Sequence, residues 1–375
     1  MSWVSTWATA MHPTETNLDR QTIRMIVRTT VGGEEVRIRL SNHFGTEALI
    51  VGEAHVALQD HGAAIVPLTD RVLGFSGRTS VSIPPGGYVI TDPVHLQVPA
   101  LGHLAITVYV PEATKMTTGQ GVSLRTTYIS PTGNFSGETT MPVDFTSFAY
   151  YWLAEVYVAH SAATKLIVAF GDSITNGYQS TTDADGSWPS ILGELLLRRP
   201  SGANVSVISE GIGGNRILLP SHDSSGSNAL ARFDRDALDH PGVSAVIFLE
   251  GINDIGSDPS PEGKFVTAED LEAAAQQIIT RCHLRGVQII GGTLAPFGGA
   301  PYFSVHGEVT RKAFNEWIRN SGSFDAVIDF DRALQNPDQT DRFLPAYDSG
   351  DHLHPSAAGY VAMANAAANV VERLR

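Results

Sequence analysis

A single cysteine, Cys282, stands in a chain of 375 residues, so no internal disulfide can staple the fold. Its setting, Ile278-Ile279-Thr280-Arg281-Cys282, reads as the late turns of a helix. A lone thiol there acts as a small buried or half-buried apolar group, not as a nucleophile. Positive charge is scarce too: 25 Lys and Arg against 39 Asp and Glu leave a formal net charge of −14. That balance makes nucleic acid and anionic membrane surfaces poor partners. No block of like charge is long enough to act as an interaction tail. Also missing is any apolar run near the roughly 18 residues of a membrane-crossing helix. The opening MSWVSTWATAMHP lacks a basic segment followed by an apolar one, so no signal peptide is read. The expected setting is the cytoplasm, or outside the cell after loss of a leader. Neither internal repeats nor low-complexity segments appear. What remains is an ordinary globular composition, 42% hydrophobic and 17% charged, long enough for two cores.

Two textures meet near residues 160–164. Before them the chain reads as β. Ile23, Met25 and Val27 alternate with Arg24, Ile26 and Arg28. After Gly32-Gly33, Val36, Ile38 and Leu40 alternate with Arg37 and Arg39, which predicts a half-buried hairpin. Strand-like runs follow at 81–83, 88–90, 104–110 and 149–158, punctuated by Pro84-Pro85-Gly86-Gly87 and Pro131-Thr132-Gly133. Without an amphipathic helix, residues 1–160 are expected to form a β-sandwich, jelly-roll-like domain. Beyond the short connector 160–164 the period changes. Apolar runs at 166–170, 205–208, 245–249, 287–290 and 326–330 alternate with helix-like segments at 188–197, 267–284, 311–319 and 357–374. Thr267 and Asp270 resemble a capping pair for the second of these. Strands alternating with helices predict a parallel sheet covered on both faces over residues 165–375, with ligands at the carboxyl ends of the strands.

Four short blocks follow those strands. Gly171-Asp172-Ser173-Ile174-Thr175 comes directly after the first buried run. Serine there is placed for nucleophilic attack but needs a base, an orienting acid and an oxyanion hole. The same residues equally suit a plain strand-to-helix turn. Gly211-Ile212-Gly213-Gly214-Asn215 can bring backbone N–H groups close to a ligand, yet matches neither a dinucleotide fingerprint nor a Walker loop. In Gly251-Ile252-Asn253-Asp254, Asn253 can serve an oxyanion or merely cap a helix. Asp351-His352-Leu353-His354-Pro355 puts an Asp three residues before a His, so one imidazole nitrogen can be held and the other left as base. The cluster could instead bind a metal, although no distant partner stands at zinc-ligand spacing.

Strand–GDSI, strand–GIGGN, strand–GIND and a late DHLH, in that order, resemble the SGNH hydrolase superfamily, the GDSL esterases. Its four named residues fall on Ser173, Gly214, Asn253 and His354, and its acid on Asp351; Ile174 replaces the Leu of the family name. The resemblance implies a flavodoxin-like α/β/α sandwich, a Ser173–His354–Asp351 triad and an oxyanion hole made by the Ser173 and Gly214 N–H groups and the Asn253 side chain. A β region ahead of such a domain is similar to an arrangement in several bacterial carboxylesterases and carbohydrate acetylesterases.

The expected activity is hydrolysis of small acyl esters or deacetylation of acetylated carbohydrate, with no metal or organic cofactor. Acyl transfer to an alcohol could use the same site. A carbohydrate-binding protein with an inert second domain is the rival of another class. Trp3, Trp7, Tyr150, Tyr151, Trp152, Phe297, Tyr302 and Phe303 could line a pocket or belong to the core. The segment 296–303 follows a strand, so Phe297 and Phe303 are the expected pocket contacts.

Overall fold

The structure, a computed structural model, describes residues 2–160, 163–199, 204–219, 225–256 and 265–373. Ser161 and Ala162 of the connector, and Leu374 at the end of the last expected helix, lie outside the described residues. The chain forms two compact units, Met1–Thr164 and Lys165–Arg375. Among the described residues no helix is long and apolar enough to cross a membrane.

Residues 2–160 are strands and turns without a helix. One antiparallel sheet runs in the order Ser2–Ala8, Leu153–His160, Gly33–Ser41, Val94–Val98, with Tyr88–Ile90 also paired to Gly33–Ser41. A second runs Phe145–Ser147, Thr127–Thr132, Gln21–Arg28, His103–Tyr109, Glu53–Leu58, Arg71–Val72. The hairpin expected from 23–40 is therefore not formed, because its two arms lie in different sheets. Their connection does not close on itself: Thr29 N–H donates to Gly102 O, just before the strand His103–Tyr109, and Thr30 N–H to Thr6 O in the strand Ser2–Ala8. Gln21–Arg28 is buried on both faces, so it needs a neighbour on each edge. Arg24 is fully buried with it. Its guanidinium donates to Thr107 Oγ1 and to the carbonyls of Ala63, Ser136 and Glu138, tying two loops to the strand. The run at 149–158 is broken at Trp152, a non-glycine residue at φ 57°.

In the second unit five parallel strands stand in the order Val205–Gly211, Lys165–Gly171, Val243–Leu249, Gln288–Gly292, Ala326–Ile328. Numbered along the chain this is 2-1-3-4-5, the flavodoxin-like order. Trp188–Leu197 packs with Ala357–Val371, and Ala268–Leu284 with Val305–Asn320. The first crossover moves one way along the sheet and the later ones move the other. Right-handed crossovers therefore put the two helix pairs on opposite faces. The Thr267 capping box forms in both directions. The helix expected at 311–319 begins earlier, at Val305, because Ser304 Oγ accepts from Gly307 N–H. The run at 326–330 is a strand only to Ile328; Asp329 then caps the helix Phe330–Leu334.

Gly211 sets how closely the strand ends approach, and Gly213 does not. A Cβ on Gly211 would lie 2.3 Å from Asn176 N and 2.8 Å from Asp172 O, both backbone atoms of the turn after Lys165–Gly171. A Cβ on Gly213 would meet nothing within 4 Å. Gly211→Ala should therefore lower the thermal midpoint by the equivalent of about 1–3 kcal/mol, the scale of overpacking, while Gly213→Ala leaves it nearly unchanged. Equal midpoints for the two variants would contradict this packing.

Candidate active site

The strand Lys165–Gly171 ends on a residue whose added Cβ would lie 2.4 Å from Leu249 O, so a glycine is needed there. Asp172 then caps the short helix Ser173–Asn176, its Oδ1 accepting from Ile174 N–H at 2.9 Å. Gly177, at φ 94°, ends that helix. Ser173 is thus held on a rigid strand-to-helix turn at the carboxyl edge of the sheet.

Asp351 and His354 come from the loop before the last helix. Ser173 Oγ lies 2.8 Å from His354 Nε2, and His354 Nδ1 lies 2.7 Å from Asp351 Oδ2. The carboxylate holds the proton on Nδ1, which leaves the Nε2 lone pair facing the serine hydroxyl. Asp351 Oδ1 accepts from the N–H groups of His354 and Leu353 and from Ser349 Oγ. Desolvation pushes the Asp351 carboxyl up. The His354 backbone and imidazole and the Leu353 N–H outweigh that and hold it at about 2. His354 is lowered from its ordinary value chiefly by desolvation, against the raising effect of Asp351. Tyr178 presents its ring edge-on to this imidazole, centroids 4.8 Å apart.

The two histidines of the DHLH block part company. His352 sits at φ 62°, 45% of its side chain exposed, with Nδ1 on Asp348 Oδ2 at 2.6 Å. Each imidazole has its own carboxylate. Among the described residues no group of three or more His, Cys, Asp or Glu could hold a metal ion. Cys282 is buried in its helix, and desolvation pushes its thiol up to about 12.

Gly214 and Asn253 arrive from the two flanking strands. Gly214, at φ 73°, sits in the turn after Val205–Gly211. Among the described residues no group accepts from the backbone N–H of Ser173 or of Gly214. Asn253 lies in the helix Ile252–Gly256. Its Nδ2 donates to Asn215 O at 3.0 Å and lies 3.5 Å from Asp172 Oδ2. Its Oδ1 accepts from Tyr302 OH at 3.2 Å, so the phenol fixes which way the amide points. The next residue, Asp254, accepts from Ile217 and Leu218 N–H and ties this block to the Gly214 loop.

Phe297 is a correction. It was expected to line the pocket, but it is fully buried, its ring behind Phe303 and Tyr302 at centroid distances of 5.1 and 6.1 Å. An apolar ring after a buried strand continues the core, and it is Tyr302 that reaches the site. Phe303 is half-buried. Sequence reading also missed Arg232, which carries no motif. It is fully buried and donates to Asn215 Oδ1, Glu210 O and Gly171 O.

The model of the GDSL-like Lipase/Acylhydrolase family matches residues 169–362. No curated protein matches the sequence. Three solved structures are similar to part of this chain. The native M. Smegmatis aryl esterase is 17% identical, with 56% of this chain and 100% of that chain covered and a TM-score of 0.46. A mutant of Axe2, an acetyl-xylooligosaccharide esterase from Geobacillus Stearmophilus, is 19% identical over 56% of this chain and 94% of that one, TM-score 0.43. A GDSL-like lipase from Bacteroides thetaiotaomicron VPI-5482 is 15% identical over 56% and 90%, TM-score 0.41.

The electrostatics make a prediction about His354. Its NMR titration midpoint should fall below the ordinary imidazole value, so the ring is neutral at pH 7. Asp351→Asn removes the charge that favours the imidazolium and should lower the midpoint further. A midpoint that rises in the variant would contradict the assigned pairing.

Proposed function

The chain belongs to the GDSL-like lipase/acylhydrolase family, and on that premise we propose that it is a serine carboxylic-ester hydrolase turning over small, short-chain acyl esters through an acyl-enzyme. The observation that carries this reading is the Ser173–His354–Asp351 chain of hydrogen bonds, of 2.8 and 2.7 Å. Ser173 Oγ attacks the ester carbonyl as His354 Nε2 takes its proton, and Asp351 stabilises the imidazolium. The negative charge on the carbonyl oxygen is met by the N–H groups of Ser173 and Gly214 and by the Asn253 amide. The C–O bond then breaks, and the alcohol leaves with the proton from His354. Water, deprotonated by the same imidazole, releases the acyl group and regenerates Ser173. For residues 2–160 we keep the jelly-roll-like sandwich reading, supported by two antiparallel sheets that exchange the chain at Thr29–Gly32.

The test is a panel of p-nitrophenyl esters of rising acyl length, with acetylated xylan beside it. Turnover should be highest on the shortest acyl groups. Ser173→Ala and His354→Ala should each remove nearly all activity, and His352→Ala little. Asn253→Ala should cost about a hundredfold or more in kcat, with KM little changed, since that donor acts in the transition state. Turnover is expected to survive EDTA. A neutral base is required, so kcat/KM should fall as pH drops through a pKa below the ordinary imidazole value. Full activity in Ser173→Ala would overturn the proposal.

A further inference from the structure

Behind the oxyanion donors lies a carboxyl that the reaction scheme does not use. Glu250 ends the run that begins with the strand Val243–Leu249, and its side chain is fully buried. Among the described residues no group donates a hydrogen bond to either of its oxygens. Arg232, the cation beside it among the described residues, is committed elsewhere. Arg232 Nη2 stays 3.5 Å from Glu250 Oε1 while donating at 2.9 Å to Gly171 O, and its other nitrogens serve Asn215, Glu210 O and Asp236. Asp172 is buried as well, and the two acids follow Gly171 and Leu249, which are in register on adjacent parallel strands, so they stand side by side at the strand ends. Two buried carboxylates side by side, sharing one arginine whose hydrogen bonds go to other acceptors, are costly to ionise together. A proton between them resolves the conflict. Asp172 already accepts from Ile174 N–H, so it is the natural acceptor and Glu250 the donor.

We propose that Glu250 is a positioning residue of this site: a neutral carboxylic acid that donates to Asp172 and so holds that carboxylate against the nucleophile's helix and the Asn253 amide. The inference rests on the ester-hydrolase reading for its catalytic consequence, not for the protonation itself. Desolvation, then the neighbouring Asp172, push the Glu250 carboxyl well above its ordinary range; Arg232 opposes this and Asp254 adds to it. Desolvation raises Asp172 to about 7, against the pull of Ile174 N–H, Glu250 and Arg232. The groups facing the pair are thus Arg232 from the helix Ala229–Phe233, Asp254 from Ile252–Gly256, and the phenols of Tyr302 and Tyr360, both of which feel the Asp172 charge.

Two measurements test it. The first is 13C NMR of the labelled full chain, with the Glu250 carboxyl resonance identified by its loss in E250Q. That carbon should show the shift of a protonated acid at pH 7; a carboxylate shift there would overturn the proposal. The second compares E250L with E250Q on a short-chain p-nitrophenyl ester. E250L, which cannot donate, should lose about tenfold or more in kcat with KM nearly unchanged, a fraction of the loss of a whole oxyanion donor. E250Q, which can donate to Asp172, should regain most of it. Unchanged kcat in E250L, or a folded E250Q as impaired as E250L, would contradict the role. If E250L does not fold, the resonance and E250Q decide. If the wild type turns over no ester, the resonance still decides the protonation, and only the reading of the reaction fails.

Discussion

Arg232 is the constraint on which the site depends. A guanidinium removed entirely from water must have its donors met by fixed acceptors, and here those acceptors are the ends of two strands and the glycine loop. It takes Gly171 O, just before the nucleophile's turn, Glu210 O at the end of the next strand, and Asn215 Oδ1 beside Gly214. Its planar face lies 3.9 Å from the Phe170 ring. Asn215 in turn uses its own amide on Ser225 O and Ser227 O, and its carbonyl receives Asn253. Removing one partner from a buried set of this kind costs about 3–5 kcal/mol, because the rest are left uncompensated. The positions of Ser173, Gly214 and Asn253 are therefore properties of one polar network and not of three separate loops.

Local surroundings differ sharply between the carboxyls. Asp351 is reached by two backbone N–H groups, a hydroxyl and an imidazole, so it stays ionised. Asp172 and Glu250 lie deeper, facing one shared cation, and desolvation raises both. An orienting acid must be charged when His354 takes the serine proton, while a structural carboxyl serves equally well as a neutral donor. On the proposed reading, it is environment that assigns these two roles.

Much of this was legible in the sequence. The parallel sheet follows from continuous apolar runs separated by helix-length segments, and the four blocks each sit just past an apolar run or before the last helix. The Asp351-x-x-His354 spacing marked which histidine would pair with the acid, because three residues suffice for a carboxylate to reach both the N–H and Nδ1 of His354. The first unit was less legible. Alternation gave the strands but not their partners, since a turn-like Gly32-Gly33 cannot say whether it closes a hairpin or crosses between sheets. Arg24 alternated with apolar residues and so read as the outer face of a strand, and Arg232 carried no signal, for burial of a guanidinium depends on carbonyls supplied from distant segments. Phe297 misled because an aromatic after a strand fits a pocket wall and a core equally well. Tyr302, one turn further on, reaches Asn253 only through the path of the loop.

The central claim is that the Ser173 hydroxyl carries the acyl group between alcohol and water. Rapid quenching of the full chain with p-nitrophenyl acetate, followed by peptide mass spectrometry, tests this most directly. The account predicts a transient gain of one acetyl group confined to the peptide containing Ser173, formed together with the first equivalent of nitrophenol. Steady ester turnover with no acylated peptide at any quench time, or with the acyl group on another residue, would contradict it.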